Sequence, residues 1–200
     1  MLFETITDAA ANETPVRDAV FEAETAEGLD AGKAEFQTVR FVNCRFVSCS
    51  FTHANFFDVR FEDCDFSNCR FGKSYWKGVT IRSCKGAGSD FGQSYFKEVC
   101  MKESGFPYAS FAGTTWKDCA LEDCNFKEAV LAEAKLGRLR LGRVDFSRAD
   151  FYKTPLKGID FSDCDIEGIL LSDTFAELRG VVMNVYQAAS IARLLGIEIR

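Results

Sequence analysis

The sequence predicts an all-β solenoid closed by a short C-terminal α-helix, and three observations predict it. An apolar residue recurs at every fifth position over most of the chain, a small uncharged residue stands two places before each, and a 20-residue recurrence sets four steps to a turn. The remaining composition fits this reading. Two hundred residues suit one domain that buries roughly 70% of the surface its unfolded chain exposes. A content of 47% hydrophobic and 27% charged residues is that of a globular chain, yet 20 Phe and 9 Cys stand against a single His, a skew that needs an explanation. No apolar run approaches the ~20 residues of a membrane span. The first ten residues carry Glu4 and Asp8 where a secretion signal needs a basic start and an apolar stretch. A cytoplasmic protein with reduced thiols and no membrane partner is the expectation.

Stepping by five from Phe36 reaches Leu171 through 28 positions, of which 27 are apolar and 16 are Phe. The residue two before each is Cys eight times, Ala six, Val five and Ser four, and is never charged. Neither the 3.6-residue period of a helix nor the two-residue period of a strand accounts for this, so the chain must turn a corner at every repeat. Stacked residues share an environment, and the longer period shows it. Val39, Val59, Val79 and Val99 form one column, Cys44, Cys64, Cys84, Cys124 and Cys164 another, and Lys77, Lys97, Lys117 and Lys157 a third, outside the core.

Segments such as Cys64-Asp65-Phe66, Cys124-Asn125-Phe126 and Ala149-Asp150-Phe151 resemble the pentapeptide-repeat family, whose motif is a small residue, a polar residue, Leu or Phe, then two variable residues. The resemblance covers residues 34–172. It implies a right-handed quadrilateral β-helix over residues 34–175, about seven coils and about 34 Å long at the ~4.8 Å spacing of paired strands. Before it, Val16 and Phe21 keep the frame but Ala26 and Ala31 are weak centres, so residues 1–33 are expected to form an irregular cap and first coil, with Leu2, Phe3 and Ile6 covering the rod. Residues 176–200 are expected to form a helix from Val185 to Leu195, capped by Asn184 and ended by Gly196, with a tail Ile197-Glu198-Ile199.

The ending Leu178-Arg179-Gly180-Val181 through Gly196-Ile197, and the segment from Ile81 to Phe91 with Gly86 in a central position, look like the quinolone-resistance (Qnr-like) branch of that family. That resemblance implies a homodimer in which C-terminal helices join two rods end to end, about 70 Å plus caps. The interface it points to is Tyr186, Ala188, Ile191, Ala192, Leu195 and Ile197; a plug closing the rod within one chain is the other reading of the same stripe.

No chemistry-bearing constellation is visible, so no catalytic, cofactor or metal residue is assigned and an enzyme is not expected. His53 falls in an outward position of its repeat. Eight of nine cysteines sit in the small-residue core column, where an inert thiol serves as a small apolar filler, and Cys100 alone leans outward. Gly86-Ala87-Gly88 lacks the spacing and helix of a phosphate loop and predicts a thinned core or a kink, with Gly105-Phe106-Pro107 a similar irregularity one coil on. Tyr75 and Tyr95 stack in one outward column.

The Qnr-like resemblance further implies binding to DNA gyrase or topoisomerase IV by a rod that imitates duplex DNA, with protection from quinolones and no nucleic acid bound. Mimicry requires negative charge. The face centred on Phe61, Met101, Leu121 and Phe161 supplies Glu62, Asp63, Glu103, Glu122, Asp123, Asp160 and Asp163 as the partner-binding set, interleaved with six basic residues. The chain's net −6 is unevenly spread: residues 1–35 are net −7, residues 36–175 net 0 and residues 176–200 net +1. The frame from Phe36 to Leu171 carries no inserted loop, unlike some quinolone-protecting members. The alternative is an interaction scaffold for an unrelated partner, using the lysine column or the Tyr75 and Tyr95 patch.

Overall fold

The structure, a computed structural model, describes residues 1–194 and 196–199. The chain folds as a right-handed quadrilateral β-helix. From Val16 it winds in square coils of four five-residue sides, each coil parallel to the last and offset by 20 residues. Two adjacent sides carry short strands along most of the rod, and a third carries only the pair Thr25–Glu27 and Arg45–Val47 in its first two coils. Sheet A contains Val16–Arg17, Glu35–Gln37, Asn55–Phe57, Tyr75–Lys77, Tyr95–Lys97, Thr115–Lys117 and Lys135–Gly137. Sheet B contains Val20–Glu22, Arg40–Val42, Arg60–Glu62, Thr80–Arg82, Cys100–Lys102, Ala120–Glu122 and Arg140–Gly142. On the other two sides the chain turns tightly, the carbonyls of Phe51, Phe66 and Phe71 accepting from the N–H three residues on at 3.0, 3.1 and 3.2 Å.

A square coil demands a left-handed backbone step near each corner, two residues after the central one. Asn43, Asp58 and Asn68 take φ of +50°, +53° and +58° there. For a residue with a Cβ this costs on the order of 1–2 kcal/mol, and Asn and Asp tolerate it best. Stacking offsets the cost: the Asn43 and Asp58 N–H groups donate to Glu62 and Lys77 carbonyls one coil on, at 2.8 and 2.9 Å. Pro107 is regular in this scheme. It precedes Tyr108 at φ +61°, the arrangement of a type II turn, and Gly105 bridges Asn125 in register, so the expected irregularity is absent.

Inside, each ring lies on its counterpart one coil away. The centroids of Phe51, Phe71, Phe91 and Phe111 are 5.0, 4.9 and 4.8 Å apart along the column, with planes within 6°. Where Trp replaces Phe, the small position two before it becomes a hydroxyl: the Trp76 indole donates to Ser74 at 2.6 Å and Trp116 to Thr114 at 2.9 Å. A buried indole N–H needs such a partner. Gly86 does not thin the core. Phe66 and Phe106 lean over it, 6.1 Å apart, and a Cβ there would lie 2.7 Å from the Phe106 ring; Lys85 stays in register with Asp65 and Gly105, so the coil has no kink at this point.

The first coil is regular, where the sequence suggested otherwise. Val16, Phe21, Ala26 and Ala31 all point inward and are buried; the strands of the first three pair in register with the next coil, and Asp30 bridges Ser50 beside the fourth. Alanine suffices as a centre because α1, Leu2–Ala11, closes this end with Leu2, Ile6 and Ala9. Those three lie at i, i+4 and i+7; Phe3, one place off the stripe, is 43% exposed rather than part of the cap.

The far end departs from the unbroken five-residue frame. Pro155 occupies the position from which Tyr75, Tyr95, Thr115 and Lys135 donate to the coil before, and it has no N–H. Sheet A therefore ends at Lys135–Gly137. Sheet B ends at Arg140–Gly142, and Asp160 bridges Val182 instead of Arg140. The other two sides remain paired through Asp145 with Asp165 and Asp150 with Leu170. The last coil is thus attached to the rod along two sides and parted from it along the other two. Beyond it the chain closes the rod with α2, Val185–Leu194.

Replacing Gly86 with Ala should lower stability by roughly 1–3 kcal/mol, because the methyl group overpacks two rings on fixed strands. Thermal denaturation checks this; an unchanged midpoint would contradict the ring closure over Gly86.

Candidate functional site

The outer surface of sheet B holds the carboxylates that the sequence singles out, and stacking decides their electrostatics. Glu62 pairs with Arg40 at 3.3 Å, Glu103 with Arg82 at 3.4 Å, and Glu122 with both Lys102 at 3.2 Å and Arg143 at 3.0 Å. Arg143 also grips Asp123 with two hydrogen bonds of 2.6 and 2.8 Å. The guanidinium holds the Asp123 carboxyl below the usual carboxylate range, and Lys102 and Arg143 do the same for Glu122. Asp160 is taken up in its own turn, accepting from the Ser162 N–H at 2.9 Å. Only Asp63 and Asp163 of the set make no ion pair or side-chain hydrogen bond among the described residues. This face is a lattice of cross-coil ion pairs and not a continuous negative stripe.

The partners lie 20 to 22 residues from the acids they neutralise, and their column is readable once the register is known: Arg138, Arg143 and Arg148 stand one coil beyond Asp118, Asp123 and Glu128. Negative charge without compensation is concentrated in the first coil. Asp18, Glu22 and Glu27 form no ion pair among the described residues, while Glu24 is occupied in accepting the Leu2 N–H at the start of α1. Sheet A has the opposite character. Lys77, Lys117, Lys135 and Lys157 have no carboxylate within ion-pair distance among the described residues, and Tyr75 stacks on Tyr95 at 5.4 Å with Phe57 beside it at 5.7 Å.

At the C-terminal end the predicted stripe divides. Asn184 caps α2, its side chain accepting from Tyr186 and Gln187 N–H groups at 3.0 Å each. Ile191 is buried against the rod and is therefore plug, not free interface; Gln187 beside it donates to the carbonyls of Phe161 and Cys164 at 2.8 and 2.7 Å, the first also accepting from the Cys164 N–H and the second lacking the next coil that satisfies its counterparts Cys124 and Val144. Ala192 is half-buried and Ala188 exposed. Tyr186 at 82% and Ile197 at 53% exposure face outward, joined by Val185 and Leu194, which the sequence reading missed. Leu195 lies outside the described residues. The signal for this division was Gln187: a helix docking on open carbonyls needs a donor at its contact.

Glu177 was also missed. It is buried in the returning segment and accepts from the Lys153 N–H at 2.8 Å, the Ser172 N–H at 3.1 Å and the Ser172 hydroxyl at 2.9 Å. Burial opposes its ionisation, but the hydrogen bonds prevail and hold the carboxyl below its usual range. No group of three potential metal ligands converges among the described residues, and none of the described helices is long and apolar enough to cross a membrane. His53 is exposed at a corner.

A family model described as a pentapeptide repeat region matches residues 17–91 and 34–111, and one described as pentapeptide repeats (8 copies) matches residues 124–163. The chain belongs to the pentapeptide-repeat family. Among curated proteins no sequence match was found. Two trypsin-treated structures of QnrB1, a plasmid-mediated fluoroquinolone resistance protein, share the fold. One is 22% identical over 94% of this chain and 100% of its own, the other 23% identical over 93% and 97%, each with a TM-score of 0.53. A lower score of 0.35, at 14% identity over 89% of this chain and 95% of the other, relates it to HetL, a pentapeptide-repeat protein involved in heterocyst differentiation regulation in the cyanobacterium Nostoc.

The thiols test the assignment of inside and outside. Burial pushes Cys124 up to about 11 and raises Cys119 and Cys164, whereas Cys100 is exposed. Native-state alkylation near neutral pH should modify Cys100 first, with the core thiols reacting only on unfolding. Peptide mapping that found Cys44, Cys64 or Cys124 ahead of Cys100 would contradict the core columns.

Proposed function

We propose that the protein is a non-enzymatic, cytoplasmic rod that dimerises through its C-terminal end and binds a bacterial type II topoisomerase, DNA gyrase or topoisomerase IV, in place of duplex DNA. The observation that carries this reading is the fold shared with QnrB1 over 94% of the chain. The charge distribution redirects where contact is made. A basic DNA-holding groove gains little from carboxylates already paired within the rod, since each pair must be broken or screened first. Asp63 and Asp163 stay available on sheet B, and the uncompensated first coil, with Asp18, Glu22 and Glu27, is the strongest negative surface. Glu62, Glu103, Glu122, Asp123 and Asp160 serve the rod's own cohesion first.

Titrated into a gyrase supercoiling assay, the protein should inhibit supercoiling or relieve inhibition by a fluoroquinolone. Neutralising Asp18, Glu22 and Glu27 together to Asn and Gln should weaken the effect more than neutralising Glu62 and Glu122. No effect at micromolar excess over enzyme would sink the topoisomerase reading.

The exposed residues Val185, Tyr186, Leu194 and Ile197 form the dimer contact in this proposal. Light scattering should report about 45 kDa, twice the 22.3 kDa chain. Tyr186→Asp with Leu194→Asp should halve it and leave the β-sheet spectrum intact; Ile191→Asp should instead loosen the rod end. A monomeric wild type would leave α2 as a plug alone.

A further inference from the structure

The break in sheet A leaves a groove of about 550 Å³ across the outer face, between the last strand, Lys135–Gly137, and the departing coil at Pro155 and Lys157. Its construction has three parts. The floor is apolar: with no strand paired beyond Lys135–Gly137, the inward central residue Leu136 is left half-buried, with Trp116 beside it. The rim is cationic. Lys117, Lys135 and Lys157 are exposed and unpaired among the described residues, while Arg138 is held by Asp118 through a two-bond pair. The third part is backbone. Upstream, Lys135 donates to Thr114 and Asp118 to Gly137, at 2.8 and 3.0 Å; neither bond has an equivalent between Lys135–Gly137 and the next coil, so the strand presents an open edge to the groove.

We propose that this groove binds an extended acidic peptide segment of a partner protein, its backbone along the edge of Lys135–Gly137, an apolar side chain over Leu136, and carboxylates against Lys117, Lys135 and Lys157. Open edges take extended peptides by main-chain hydrogen bonding, with side-chain pockets supplying selectivity. Charge complementarity selects an acidic sequence. A peptide fits better than nucleic acid because the cationic patch is short. The lysine column runs from Lys77 to Lys157, only five coils, and the apolar floor and open edge lie at its last two; the column borders the ion-paired lattice of sheet B and belongs to a chain of net charge −6 that repels a long polyanion elsewhere. The proposal is independent of the topoisomerase reading, whose contacts lie on the first coil and sheet B.

The test uses the full chain and a fluorescein-labelled peptide alternating Glu with Leu, followed by anisotropy, with a Glu–Ser peptide and a single-stranded oligonucleotide of similar length for comparison. The Glu–Leu peptide should bind most tightly, and added salt should weaken it. Reversing Lys117, Lys135 and Lys157 to Glu should weaken it about tenfold or more, in a variant whose circular dichroism and melting are unchanged because all three side chains are exposed. Pro155→Thr, which restores the N–H that Thr115 carries in the same column, should also weaken binding by pairing the open edge. The proposal fails if the peptide does not bind, if the triple variant binds equally well, if the Glu–Ser peptide binds as tightly, or if the oligonucleotide binds more tightly.

Discussion

Every coil of this rod is held by the one before it, and the parallel ladder at an offset of 20 residues is the constraint on which the rest depends. It satisfies the backbone of a chain that turns too sharply for a sheet of ordinary strands, and it offsets the left-handed step near each corner. It also forces like to lie upon like. A ring must be flat against the ring above it, so Phe recurs; the neighbouring inward position must be small, so Cys, Ala, Val and Ser recur. An exception has to be matched by its neighbours within the stack. Trp76 and Trp116 bring a donor that Ser74 and Thr114 accept, and Gly86 makes room that Phe66 and Phe106 fill.

The same dependence explains the ends. A solenoid cannot stop without leaving carbonyls and N–H groups unpaired. At the start, α1 lays an apolar stripe over alanine centres. At the finish, the side chains of Asn184 and Gln187 donate to the carbonyls of Ser162, Phe161 and Cys164, while Glu177 accepts from the backbone at Lys153 and Ser172. Pro155 interrupts the ladder one coil early, and the opening that results is a property of the backbone before it is one of any side chain.

Charge is governed by stacking too. Acids and bases that look interleaved along the chain become neighbours across coils, and an apparent acidic face becomes a set of ion pairs. Each exposed pair contributes little to stability. Together they cancel the local field and leave the first coil negative and part of sheet A positive, which gives the rod two surfaces of opposite preference.

The sequence by itself determined the coil, its four sides, which residues face inward and where Cys100 points, because a five-residue period leaves no other way to bury so many rings. It also located the capping helix after Asn184. Only the tertiary structure decided which charges meet, that Ala26 and Ala31 suffice under α1, that Ile191 faces the rod while Tyr186 does not, and that the ladder parts at Pro155. Inward positions are set by a period visible in one dimension. Ion pairs, caps and the open edge depend on contacts between residues about 20 apart or on elements lying outside the period, and their partners come into reach only when the coils are stacked.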